Sequence, residues 1–324
     1  MKITRRSALG AVIAGGAAAC TNSPPRTAYE SATGEPNAVF AHGVASGDPG
    51  ADSVVLWTRA TTGSQTPVTL TWELSEQGDF ANVAASGEVI SRPEADFTAK
   101  AVAGGLAPGK RYFYRFRTGD AVSPTGRTRT LPVGALDAAN FAVISCSNYP
   151  FGYFNVYDLI ARRDDLDAVI HLGDYIYEYG GGDGEYGAAE GARLGRPHQP
   201  PHELNSLADY RTRHAQYKAD PGLQAAHAAH PFITIWDDHE VANDTWSGGA
   251  ENHNDGEGEW TTRRSDALRA FHDWNPTREP ADLIGGLKTV EIAGLATIAL
   301  TESRHTARSE QLTFQAASWM MADH

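Results

Sequence analysis

From residue 141 onward, three short apolar runs lack polar alternation, and each ends in residues that bind cations. Phe141-Ala-Val-Ile-Ser145 runs into Cys146-Ser147-Asn148, and Asp167-Ala-Val-Ile-His-Leu172 runs into Gly173-Asp174-Tyr175-Ile176-Tyr177-Glu178. Phe232-Ile-Thr-Ile235 runs into Trp236-Asp237-Asp238-His239-Glu240. β-Branched runs of this kind predict strands buried on both faces, in a sheet covered by helices. In open α/β sheets, ligands collect beyond the carboxyl ends of the strands. Thiolate, carboxylate, phenolate and imidazole are therefore expected to converge on one rim.

The same patterning divides the chain. Residues 38–133 read as all β, with Ser53–Arg59, Val68–Leu74 and Arg111–Arg117 strand-like and turn residues between them. Val68, Leu70, Trp72 and Leu74 alternate with Thr69, Thr71 and Glu73, which predicts a half-buried strand. Leu106–Tyr112 resembles the turn and tyrosine corner of fibronectin III/Ig-like sandwiches, and about 95 residues suit one such sandwich. From residue 138 strands alternate with helices. Asn155–Arg163 predicts a short helix, and Leu204–His230 a longer helical pattern that Pro221 must kink or break. Gly180–Pro201 reads as a long surface loop of the kind that roofs a site. Arg263–Trp274 predicts a helix stopped by Pro276, and Lys288–Ile292 with Ala296–Leu300 a hairpin around Gly294 that leads to Thr301-Glu302-Ser303-Arg304. The expected fold class is an α/β (α+β) sandwich over residues 138–324, preceded by an all-β sandwich.

Residues 1–37 read as targeting signal and tether. Thr4-Arg5-Arg6-Ser7-Ala8-Leu9 is a twin-arginine start, and the Ala- and Gly-rich stretch from Ala8 to Ala19 is too short to span a bilayer. Export is expected by the twin-arginine machinery, to a periplasmic, secreted or membrane-anchored location, with Cys20 a candidate lipid-attachment site. The chain has 2 cysteines, so loss or acylation of Cys20 leaves Cys146 as a single thiol. In an oxidising compartment an unpaired thiol is a liability unless something, such as a metal, occupies it. The net charge of −13 argues against tight nucleic-acid binding. It leaves phosphate-ester chemistry open, because a cation cluster reverses the local field.

Asp174 and Tyr177 lie three residues apart and are expected to face one point as the chain turns into helix. A carboxylate can bridge two cations, and a phenolate suits a ferric ion; an N-cap aspartate beside a packing tyrosine fits the same spacing. Cys146 alone would be a small core hydrophobe or a nucleophile paired with a histidine. Its polar neighbours Ser145, Ser147 and Asn148 and the surplus of carboxylates favour a metal. Asp237-Asp238-His239-Glu240 packs three carboxylates and an imidazole into four positions, and like charges so close raise one another's pKa. Cations relieve that repulsion; a solvated acidic turn is the plainer alternative, which Ile235 and Trp236 make less apt. Asn243, Asp244, Asn252 and His253 extend the polar stretch.

Gly43 to Arg59, Cys146, Gly173–Tyr177, Trp236 to Trp246 and Glu251 to Arg278 together resemble the alkaline phosphatase D (PhoD-like) family of metallophosphoesterases, over residues 38 to about 312. The resemblance implies a metallophosphoesterase-like catalytic sandwich and hydrolysis of small phosphate mono- or diesters by a metal-activated water, with ferric iron (Fe3+) paired with calcium (Ca2+). Carried over, Cys146, Asp174 and Tyr177 resemble the iron ligands, with Asp174 also touching the second metal. Asp238 stands at the second-metal ligand and His239 near the leaving group. Asn243 or Asp244 is a further candidate ligand, and Arg304 a candidate catalytic residue with Asp174 and His239. Family members run longer and add a late Asp/His segment; against them this chain, ending at Asp323-His324, is expected to be C-terminally incomplete. A truncated remnant that binds metal or phosphate ester without turnover is the alternative that follows. No phosphate-cradling glycine-rich loop occurs.

Overall fold

In the computed structural model of the protein, residues 2–4, 38–284 and 287–310 are described; Arg5, Arg6, Cys20, Asp323 and His324 lie outside them. The strands are β1 (Lys2–Thr4), β2 (Val44–Gly47), β3 (Val54–Arg59), β4 (Val68–Ser75), β5 (Val83–Ser91), β6 (Thr98–Ala103), β7 (Arg111–Thr118), β8 (Ala121–Val122) and β9 (Gly126–Arg129), then β10 (Ala138–Ile144), β11 (Ala168–His171), β12 (Pro231–Thr234), β13 (Lys288–Ile292) and β14 (Ala296–Leu300). The helices are α1 (Asn155–Ala161), α2 (Ala188–Leu194), α3 (Leu207–Lys218), α4 (Pro221–Ala229) and α5 (Trp260–Trp274).

A seven-stranded sheet runs in the order β1-β10-β11-β12-β2-β3-β6. β10, β11, β12 and β2 are parallel, which aligns their carboxyl ends. A second sheet, β5-β4-β7-β8 with β9 on β7, stacks on the β3 end through Leu56, Leu70, Leu74, Tyr114 and Phe116. The N-terminal β-sandwich therefore shares a sheet with the mixed α/β part: Ser46 pairs with Pro231 and Gly47 with Phe232. That junction needs glycine, since a Cβ on Gly47 would lie 2.4 Å from Pro276 O and 2.8 Å from Phe232 O. β4 is buried at alternate positions. The Tyr112 hydroxyl accepts the Ala107 amide at 2.9 Å, closing the tyrosine corner.

Helices cover one face of the parallel strands: Val169 and Phe232 pack against Tyr157 and Ile160 of α1, Tyr217 of α3, Leu223 of α4 and Leu268 of α5. The β13–β14 hairpin covers the other, with Val290, Ile292 and Leu300 on Phe141, Ile170 and Ile233. β11 and β12 are buried throughout. β10 is not, and Val143 is exposed: among the described residues only β1 lies outside β10, and it pairs with residues 138–140. Pro221 breaks the helical stretch from 204 to 230 as expected, leaving two helices, the second starting at Pro221 with Asp220 accepting the amides of Gly222 and Leu223. Two further expectations need correction. Gly180–Pro201 is not loop throughout, for it carries α2, ended by Gly195 at φ 67°. No helix starts directly after β11: Asp174 has φ 53°, which stops a right-handed helix there.

Candidate metal centre

Three loops, each leaving the carboxyl end of a parallel strand, build the site. Cys146 (φ 58°), Asp174 (φ 53°) and Asp244 (φ 53°) hold left-handed backbone, which costs a non-glycine residue about 1–3 kcal/mol and persists only where surrounding contacts enforce it. Those contacts are present. Cys146 N donates to Gly173 O (3.3 Å) and Ser147 N to Asp174 O (2.9 Å), joining the first loop to the second. Gly173, at φ 109°, lets the third loop close in, since a Cβ there would lie 2.4 Å from Asp237 N. Glu240 is fully buried and its carboxylate accepts the amides of Asp174 (3.1 Å), Asp237 (2.8 Å) and Tyr175. Burial pushes its carboxyl up to about 8, and Asp174 adds to this, while the three amides oppose it.

Asp174 is the meeting point. Its Oδ2 accepts from Cys146 Sγ (3.4 Å) and from the Tyr177 hydroxyl (3.2 Å). One ligand atom each from Asp174, Asp238 and His239 lie within 4.8 Å of one another. Asp174 Oδ1 is buried with no hydrogen-bond partner, an expensive state for a carboxylate that a cation relieves. Burial also raises the pKa of Asp174, with His239 opposing and Asp238 and Asp237 adding. The Tyr177 phenol is raised far above its ordinary value by burial and by Asp174 and Cys146. The Cys146 thiol is raised by burial, against Ser145 and with Asp174. A bound cation reverses that logic for all three. The donor set therefore fits a metal.

His239 is held from behind. Its Nδ1 lies 2.8 Å from Glu178 Oε2, and its ring packs 4.3 Å from that of Tyr177. Burial disfavours the charged imidazole, but Glu178, Asp238 and Asp174 outweigh it and lift His239 to about 9. Glu178 is fully buried and also accepts the Asn243 amide (2.7 Å) and the Asn252 side chain (2.9 Å). Arg213, likewise buried, donates to the carbonyls of Tyr177 and Tyr179.

Asp244 is not part of the close group of Asp174, Asp238 and His239. The Asn243 side chain donates to Glu251 at 3.0 Å. Asp244 gives its amide to Asp238 Oδ2 (2.7 Å) and turns its carboxylate toward Arg304 and Arg308. Arg304 reaches Asp237 (2.6 Å) and Asp238 (3.3 Å). Sequence reasoning passed over Glu178, Glu240 and Arg213 as site residues. For the two glutamates the available signal was a carboxylate directly following a candidate ligand; for Arg213 there was none. A groove of about 440 Å³, lined in part by Cys146, Asn148, Tyr153 and Val156, leads away from Cys146.

A layered α/β sheet with acidic, thiol and imidazole groups gathered at its strand carboxyl ends is a setting in which ligands bind. Residues 141–324 match the PhoD-like phosphatase family, and residues 26–132 match the N-terminal domain of PhoD-like phosphatases. The chain belongs to the PhoD-like phosphatase family. Alkaline phosphatase D of Bacillus subtilis (strain 168) is 41% identical over 248 residues, covering 74% of this chain and 41% of that protein. A solved structure of PhoD superposes with a TM-score of 0.75 at 33% identity, covering 89% of this chain and 55% of that one. The chain thus spans about two fifths of the length of the curated relative.

Proposed function

We propose that this chain hydrolyses small phosphate esters at a pair of cations: ferric iron beside Cys146, Asp174 and Tyr177, and calcium beside Asp174 and Asp238. The observation that carries this reading is Asp174, which gathers thiol and phenol on Oδ2 and leaves Oδ1 buried and unpartnered. Thiolate and phenolate donors suit iron, whereas carboxylate oxygens suit calcium. When bound, such a pair supplies polarised phosphoryl oxygens and an acidified water.

The chain's own residues do the rest. Glu240 and Gly173 keep the second and third loops in register, so that Asp174 and Asp238 stay within reach of one another. Glu178 engages Nδ1 of His239 and leaves Nε2 as the nitrogen available for chemistry. Burial opposes the charged ring, but the Glu178 carboxylate on Nδ1 favours it, and a protonated His239 would give its proton to the alcohol oxygen as it departs.

The test uses the full chain, loaded with iron and calcium and assayed on p-nitrophenyl phosphate and bis(p-nitrophenyl) phosphate. Hydrolysis is expected, with metal and turnover both lost in Asp174→Asn. Visible absorption from the Tyr177 phenolate on ferric iron is expected to vanish in Tyr177→Phe. Metal uptake without turnover of either ester would assign a binding role instead, and a wild type that takes up no metal would sink the reading.

A further inference from the structure

The two halves of the centre differ in how their charge is balanced. Asp174 keeps a buried oxygen free of any partner. Asp238 has both oxygens engaged: Oδ2 accepts the Asp244 amide (2.7 Å), and Oδ1 lies 3.3 Å from Nη2 of Arg304. The same guanidinium reaches Asp237 Oδ1 through Nε (2.6 Å) and stands 3.9 Å from Asp244 Oδ1 through Nη1. One arginine thus faces three carboxylates, all from the loop after β12.

Its position is built rather than incidental. Arg304 sits in the turn after β14, and Glu302 folds back over that turn. The Glu302 carboxylate accepts the amides of Arg304 (2.7 Å), His305 (2.7 Å) and Thr306 (2.8 Å) and the Thr306 hydroxyl (2.6 Å). The Arg304 side chain is 20% exposed, so its charge is less screened than that of a surface arginine. A planar guanidinium presents five donors in a rigid fork, so several carboxylates can meet it at fixed angles.

We propose that Arg304 is an internal counter-cation for Asp237, Asp238 and Asp244, and that a divalent cation binds beside Asp238 only by taking Oδ1 from it. This rests on the proposed metal centre. The affinity of an oxygen-donor site follows its count of uncompensated ligand charge, and Arg304 lowers that count by one. The halves would then fill in order, with the Asp174 side first and the Asp238 side once the guanidinium has moved away.

Calorimetric titration of the full chain with calcium alone tests this without recourse to turnover. Arg304→Met is expected to bind calcium at least about tenfold more tightly than wild type, because a site gains affinity with each uncompensated ligand charge. Arg304→Lys should fall between the two. Arg308→Met, which removes a charge that reaches only Asp244 at 3.7 Å, should change affinity far less. Should the methionine variant not fold, the gain in the lysine variant decides. Unchanged or weaker binding in both Arg304 variants, with wild type binding calcium, overturns the role of Arg304 and leaves the metal centre standing. Absence of calcium binding in wild type and every variant overturns both.

Discussion

Gly173 shows how much of the site depends on one missing methyl group. Its φ of 109° is one that other residues avoid, and an added Cβ would lie 2.4 Å from Asp237 N, 2.6 Å from Asp237 Cβ and 2.8 Å from Trp236 C. Backbone rather than a flexible side chain blocks the way, so the third loop must retreat. Gly173→Ala is therefore expected to lose about 3 kcal/mol, from combined strain and overpacking, and to bind metal more weakly than wild type. Urea denaturation and metal titration check both, and a variant as stable as wild type would mean that the third loop gives way freely. At this scale the sequence was readable wherever a donor follows a buried run. Cys146, Asp174, Asp238 and His239 each come within five residues of a strand end, and parallel pairing brings those ends together. Glu178 and Glu240 each stood beside a candidate site residue, but their roles were not readable, because what defines them are partners 61 and 66 residues away in the chain.

At the scale of elements, Glu240 does for the loops what pairing does for the strands. One buried carboxylate accepts amides from two loops, which no hydrogen bond between β11 and β12 reaches. Glu240→Gln keeps the shape but replaces one acceptor oxygen with an NH2 group, which turns donor toward donor. A buried amide left unsatisfied costs about 1–3 kcal/mol, and groups that orient metal ligands are typically worth about 10–100-fold in metal affinity. Weaker metal binding with the fold retained by circular dichroism is expected, and wild-type affinity would show that Glu240 supports stability alone. The strands themselves were legible, as period-2 alternation in β4 and as unbroken apolar runs in β11 and β12. Their order in the sheet was not. Nothing in the pattern of β2 announces that it pairs with β12 rather than within its own sandwich, since a buried edge is chosen by shape, here by the close approach at Gly47.

Over the whole molecule, that shared sheet makes a seam between the N-terminal and mixed α/β parts, and the seam holds neutral histidines. Trp57 of β3 gives its Nε1 proton to Asp273 O (2.9 Å), Lys100 of β6 donates to His272 O (2.8 Å), and Trp57 and Trp274 are buried against one another. His42 packs edge-on to Trp274 at 5.1 Å. His272 is bonded through Nδ1 to the Thr277 hydroxyl and through Nε2 to Leu283 O, both at 3.1 Å. Burial, then Lys100, lowers His272 from 6.5 to about 4, against the Leu283 carbonyl, Glu279 and Asp48. Burial, Arg59 and Lys218 lower His42 from 6.5 to about 4 as well. Between those values the unfolded chain binds protons that the fold refuses at these two rings, so their contribution to stability is complete above pH 6.5 and is lost as pH drops toward 4. At pH 5 the loss from His272 alone is about 2 kcal/mol, at about 1.4 kcal/mol per unit. His42 is more accessible and should contribute less. Urea denaturation of the metal-free chain at pH 7 and pH 5 measures the drop, and His272→Gln should shrink it by about that amount. An unchanged drop in the variant would place the acid sensitivity elsewhere and leave His272 as packing alone.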